Sequence, residues 1–132
     1  MVKYRFPYAI EDTKSYPKIH VYIDHNEKWI KTKVLLDSGA DISLFTRELG
    51  EEIGLDIESV KPKKLGGIGN GIYVHIHKVK LKISKDSKEI IFRISAGFAN
   101  DRNWDLNIIG RKDIFNNMTV CFKKDKEVII EI

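Results

Sequence analysis

Over most of this 132-residue chain, apolar residues recur at every second position, and that period of two points to strands rather than helices. From Lys18, the residues Ile19, Val21 and Ile23 alternate with polar or aromatic neighbours. After Asp24-His25-Asn26-Glu27-Lys28 a second alternating run extends from Trp29 to Leu36, and together the two predict a β-hairpin. Longer alternating strands follow over Ile72 to Ile83 and Glu89 to Ala96, joined at Lys85-Asp86-Ser87. An apolar strand is expected around Leu106 to Ile109, and a closing hairpin over Thr119 to Phe122 and Glu127 to Ile132 across Lys123-Lys124-Asp125-Lys126. Helical signals are confined to two short segments. Thr46 is placed as an N-cap with Glu48 in the first turn and Gly54 as a stop after Ile53, and a helix of one or two turns is expected near Arg111 to Asn116. The expected class is all-β with one or two short helices, and such chains close into a barrel or sandwich because open sheet edges invite unwanted pairing.

The length suits one compact domain. With 42% hydrophobic and 32% charged residues and only 3 Pro and 9 Gly, the chain is neither a disordered tract nor a fibrous repeat. A chain this small has little material with which to wall a site off from water, so self-association is expected. The net charge is +4, and the lysines read as scattered, with Lys78, Lys80 and Lys82 forming a solvated strand face. A single cysteine, Cys121, excludes an intramolecular disulfide and any multi-cysteine metal centre, and it reads as a buried thiol between Val120 and Phe122. Its solitude suggests the reducing cytoplasm. The sequence given has no apolar stretch suited to a signal peptide or a membrane span, so a soluble protein without a membrane partner is expected.

Two short segments carry the chemical interest. The strand from Trp29 ends in Val34-Leu35-Leu36 and breaks at Asp37-Ser38-Gly39, with Ala40-Asp41-Ile42-Ser43-Leu44-Phe45 following at once. Asp, Ser and Gly are common in plain surface turns. A carboxylate at the end of a strand buried on both faces is costly, however, and such costs are tolerated mostly at functional sites, which makes Asp37 a candidate catalytic acid. The second segment is Asn107-Ile108-Ile109-Gly110-Arg111, where Gly110 permits the close backbone approach of a crowded crossing. Alone, it has an equally good structural reading.

Together, Leu35-Leu36-Asp37-Ser38-Gly39-Ala40-Asp41 and Ile108-Ile109-Gly110-Arg111, with the glycine-rich Gly66-Gly67-Ile68-Gly69-Asn70-Gly71 between them, resemble the retropepsin-like aspartic proteases. The resemblance covers residues 17–132 and leaves residues 1–16 as an N-terminal extension or strand. It is closer to cellular and prokaryotic members than to the compact viral enzymes. It implies a closed acid-protease barrel, an obligate homodimer, a polypeptide substrate and no cofactor or metal. It also implies roles. Asp37 would be the catalytic aspartate, with Ser38, Gly39, Ala40, Asp41 and Arg111 supporting the active-site loop. Ser38 would reach across the subunit boundary, Gly39 would let substrate lie close, and Arg111 would meet Asp41 as a bidentate ion pair. Residues Gly66 to Gly71 would form the substrate-binding flap, and Ile108, Ile109 and Gly110 the structural second motif. Since one chain supplies one such Asp, the second would be Asp37 of a symmetry mate.

Competing readings are weaker. The glycine run superficially resembles a phosphate loop, but Tyr73, His75 and His77 follow at strand spacing, where a phosphate site needs a helix. His75 and His77 lack a third metal ligand by any local spacing and read as surface or flap histidines. Ser38 lacks a nucleophile elbow because position 36 is Leu. A non-catalytic peptide- or partner-binding member of the same fold is the alternative function. A basic nucleic-acid-binding barrel has slight support from the charge and the strand aromatics, and no nucleic-acid partner is expected.

Overall fold

Alternating β-branched residues build the framework. In the computed structural model, which describes residues 2–66 and 70–132, strands account for 54% and helices for 9% of the described residues. The strands in chain order are β1 (Lys3–Pro7), β2 (Ala9–Glu11), β3 (Lys14–Tyr16), β4 (Lys18–Asp24), β5 (Ile30–Leu36) and β6 (Ser43–Phe45). After helix α1 (Arg47–Glu52) come β7 (Lys63–Leu65), β8 (Ile72–Lys85), β9 (Lys88–Ala99), β10 (Ile108–Ile109), β11 (Thr119–Lys123) and β12 (Glu127–Glu131). The main sheet runs β4-β5-β10-β6-β9-β8-β7, and a further β4–β8 pairing closes six of these strands into a barrel. Its interior is filled by the expected apolar face, including Ile19, Val21 and Ile23 from β4, Val34 and Leu36 from β5, and Val79, Leu81 and Ile83 from β8.

Turn chemistry fixes the hairpins. Asp86 and Ser87 sit at φ +52° and +67° between β8 and β9, the left-handed pair that a two-residue hairpin needs. Lys124 and Asp125 hold similar angles between β11 and β12, which places that turn where the sequence predicted it. Helix α1 begins and ends as read. Thr46 Oγ1 accepts the Leu49 amide at 3.1 Å, and Gly54 follows the helix at φ +84°. Replacing Thr46 by Ala should cost about 1 kcal/mol, measurable as a shift in the urea midpoint without a change in slope.

A second sheet, β1-β12-β11, packs against the barrel core. Tyr4 and Phe6 of β1 join Val128 and Ile130 of β12 in the main core, so part of residues 1–16 packs with the chain's last strand. Three local expectations are corrected. The strand expected over Leu106 to Ile109 shrinks to β10, because the Leu106 carbonyl turns aside to accept the Trp104 indole N–H at 2.6 Å. The helix near Arg111 to Asn116 is replaced by turns and a single 3-10 turn at Phe115–Asn117, since Asp113 takes φ +66° and accepts the Ser95 amide at 2.9 Å. Cys121 is exposed, because β11 is the outer strand of the second sheet and this residue lies on its uncovered face.

Candidate active site

The active-site loop hangs from two parallel strands. β5 and β10 pair in register, Leu35 with Ile108 and Leu36 with Ile109, and the Asp37 amide extends the ladder by donating to the Ile109 carbonyl at 3.0 Å. There the chain leaves the sheet. The Gly39 amide donates to Asp37 Oδ1 at 2.9 Å, and the Ala40 amide donates to the Asp37 carbonyl at 3.1 Å, so the acid is held within its own turn. The flanking strand buries one face, through Val34 and Leu36, rather than the two expected, since Leu35 lies on the outer side, and the Asp37 side chain is half-buried, because the cleft opens directly above it.

Gly110 is where the two loops cross. Its amide donates to the buried Ser43 hydroxyl at 3.1 Å. A Cβ at this position would sit 2.6 Å from the Ile42 carbonyl carbon and 2.8 Å from the Ala40 oxygen, both backbone atoms with no freedom to retreat. Beyond it, the Arg111 amide donates to the Ala40 carbonyl and the Lys112 amide to the Asp41 carbonyl, each at 2.9 Å. The Arg111 guanidinium divides its donors. Nη1 donates to the Ser38 carbonyl at 2.7 Å, while Nη2 bonds Asp41 Oδ1. Arg111 and Asp41 thus meet as expected, but through one carboxylate oxygen rather than two. The second donor ties down the backbone of Ser38 itself. The Ser38 side chain is exposed, and its hydroxyl makes no hydrogen bond among the described residues.

Above this loop lies a cleft of about 480 Å³. Asp37, Gly39, Ala40 and Asp41 border it on one side, Ile42, Leu44 and Ile108 supply apolar surface, and Lys63, Leu65 and Gly66 form another wall. Sequence reading missed Lys63 and Leu65, since the three residues Lys63–Leu65 carry no alternating pattern long enough to mark a strand; they form β7, paired with β8 from Lys63↔Val74 to Leu65↔Ile72. It also missed Ser43 as a brace, although a lone polar residue between Ile42 and Leu44 was a usable signal. Of the glycine-rich segment assigned to a flap, Gly67, Ile68 and Gly69 lie outside the described residues. Gly66 and Asn70 are exposed at the ends of the β7–β8 connection, and Gly71 takes φ +91° close to the Leu65 carbonyl.

His75 is not a surface residue. Only 2% of it is exposed, with Nδ1 donating to the Val60 carbonyl at 2.6 Å and Nε2 lying 2.9 Å from Asn100 Oδ1. His77 Nε2 donates to the Ile57 carbonyl at 2.9 Å. The two rings pin residues 57–60, the stretch that leads into β7 and the cleft wall. Among the described residues, no group of three His, Cys, Asp or Glu is placed to hold a metal ion.

A closed six-stranded barrel, with an Asp-Ser-Gly loop suspended beside an Ile-Ile-Gly strand, is the retropepsin-like aspartic protease fold. Two solved structures with that architecture are similar to this chain. A retropepsin-like aspartic protease from Rickettsia conorii superimposes with a TM-score of 0.66, covering 98% of this chain and 91% of its own at 16% identity. The EIAV protease complexed with the inhibitor HBY-793 superimposes with a TM-score of 0.50, covering 83% and 93% at 23% identity. No protein-family model and no curated protein matches the sequence.

Proposed function

We propose that this protein is an aspartic endopeptidase that cleaves extended polypeptides as a homodimer, its water activated by two Asp37 carboxylates, one from each subunit. The observation that carries the reading is the half-buried Asp37 carboxylate beside an apolar cleft, on a loop fixed by β10, Ser43 and Arg111. Asp41 is engaged by Arg111, so among the described residues that line the cleft Asp37 is the carboxylate without a cationic partner. Two such groups a few ångströms apart resist double ionisation and share a proton. The ionised member then accepts a proton from the attacking water while the protonated one polarises the scissile carbonyl.

The loop's details support the same chemistry. A Cβ at Gly39 would lie 3.2 Å from Asp37 Oδ1, so glycine keeps the approach to the acid open. A peptide laid as an added strand would place alternate side chains against Ile42, Leu44, Leu65 and Ile108. Ser38 would brace the partner's loop, and the glycine-rich segment between β7 and β8 would serve as the substrate-binding flap.

The test is a mixed peptide library incubated with purified protein at acid and neutral pH, with and without a statine-type transition-state mimic. Cleavage that the mimic suppresses is expected. Activity per molecule should also fall on dilution, because dissociation separates the two carboxylates. Full activity from a species that sediments as a monomer at every concentration would overturn the shared site.

A further inference from the structure

The strand register gathers lysines that look scattered in the sequence. On the outer face of four adjacent barrel strands, β5, β4, β8 and β9, one row across the sheet reads Lys31, Tyr22, Lys82 and Ile91. Neighbouring rows pair Lys33 with His20, Lys18 with Leu35, Lys80 with Arg93, and Lys78 with Ser95. Their odd- or even-numbered neighbours point into the core, so these side chains share the outward surface. Seven cations therefore lie on the outer side of these four strands, which wrap around part of the barrel. The carboxylates that approach it are Glu11, bonded to Lys18 and Lys33, Asp24, bonded to the Lys28 amide, Glu89, 3.9 Å from Lys82, and Asp113 at its far edge. The local excess of three is most of the chain's net +4, so the remaining surface is nearly balanced.

The face is also grooved and aromatic. Where β4 and β8 diverge, residues 6–10 border a groove of about 460 Å³ whose lining includes Lys18, Lys31, Lys33, Lys85, Tyr8 and Tyr22. Lys82 Nζ lies 5.0 Å from the Tyr22 ring centre and 4.5 Å from that of Trp29. The positive potential is felt locally: burial and then Lys31 and Lys33 hold the His20 imidazole below its ordinary value.

From this arrangement we infer that the β5-β4-β8-β9 face is a binding surface for single-stranded nucleic acid, contacting the phosphate backbone without base specificity. Cations repeat about every 6.8 Å along β5 and β8, and Lys80 faces Arg93 about 4.8 Å away on the next strand, a spacing that can follow a flexible chain of phosphates. Aromatic rings beside a basic groove offer the sequence-tolerant stacking that such ligands use. A membrane fits less well, because among the described residues Ile10 at the groove and Ile91 are the large apolar residues of this face that are broadly exposed, too few to anchor in lipid. An acidic polypeptide would likewise find few apolar anchors. The face lies apart from the residues that line the Asp37 cleft, so the inference stands independently of proteolysis.

Fluorescence anisotropy with a labelled oligonucleotide of about 12 unstructured nucleotides tests it on the full chain. Binding is expected at about 50 mM salt and should weaken steeply by about 200 mM. The combined variant Lys31→Ala, Lys78→Ala, Arg93→Ala, which alters three exposed side chains, should bind at least about tenfold more weakly, with the log–log salt slope reduced by about 2. Tyr22→Leu should weaken binding about fivefold at unchanged slope. Lys3→Ala, Lys61→Ala, Lys112→Ala, off this face, should bind as the parent does, and so should Asp37→Asn. Circular dichroism melting confirms that each variant is folded. No binding at low salt, or equal loss in both triple variants, would overturn the inference. So would tighter binding of polyglutamate or phosphatidylserine vesicles under the same conditions.

Discussion

Asp37→Asn is expected to lower peptide hydrolysis by at least about a thousandfold while leaving the fold intact. The asymmetry follows from what the side chain touches. Its Oδ1 accepts the Gly39 amide at 2.9 Å, and an Asn oxygen in the same place accepts that bond equally well. The turn, the Asp37 amide bond to Ile109 and the Arg111 braces are all backbone or remote contacts that the substitution does not reach. What vanishes is the ability to hold or release a proton. Product formation followed by mass spectrometry, alongside a melting curve that moves by no more than about 2 °C, separates the two effects. Hydrolysis persisting near the parent rate in a folded Asp37→Asn protein would remove this residue from the chemistry.

Gly110→Ala should act in the opposite way, through stability first. The added methyl would meet the Ile42 carbonyl and the Ala40 oxygen, and each lies on a loop already fixed by hydrogen bonds. Neither can move without breaking the Arg111 amide bond to Ala40 or the Gly110 amide bond to Ser43. Overpacking of this kind against backbone is expected to cost about 3 kcal/mol, or about 10 °C of melting temperature for a chain of this size. Gly66→Ala provides the contrast, since nothing among the described residues lies within 4 Å of where its Cβ would stand, and it should melt with the parent. Equal melting temperatures for parent and Gly110→Ala would mean that the crossing is looser than the contacts indicate.

Period-two alternation made the long strands readable, because β4, β5, β8 and β9 each bury one face against the barrel core. Thr46 and Gly54 were readable because capping is local chemistry. The pairing of Asp37 with Gly110 came from a two-part motif whose pieces meet only in the fold, in the register of Leu36 with Ile109. What escaped depends on partners distant in sequence. Cys121 and Val120 alternate like core residues, yet the outer position of β11 leaves the thiol uncovered. His75 looks like any strand histidine until Val60 and Asn100 close around its ring. Likewise Lys31 and Lys82 come to flank Tyr22 through two strand pairings that no local pattern announces.

The position of β12 between β1 and β11 has a consequence for how the molecule is made. Residues 3–7 are synthesised early but find their neighbours only when residues 127–131 leave the ribosome. Until then Tyr4 and Phe6 have no Val128 or Ile130 to meet, and the early strand waits as an open template. A chain interrupted just before Glu127 would keep two unmatched edges, making such fragments prone to clump with one another and dependent on chaperones for clearance.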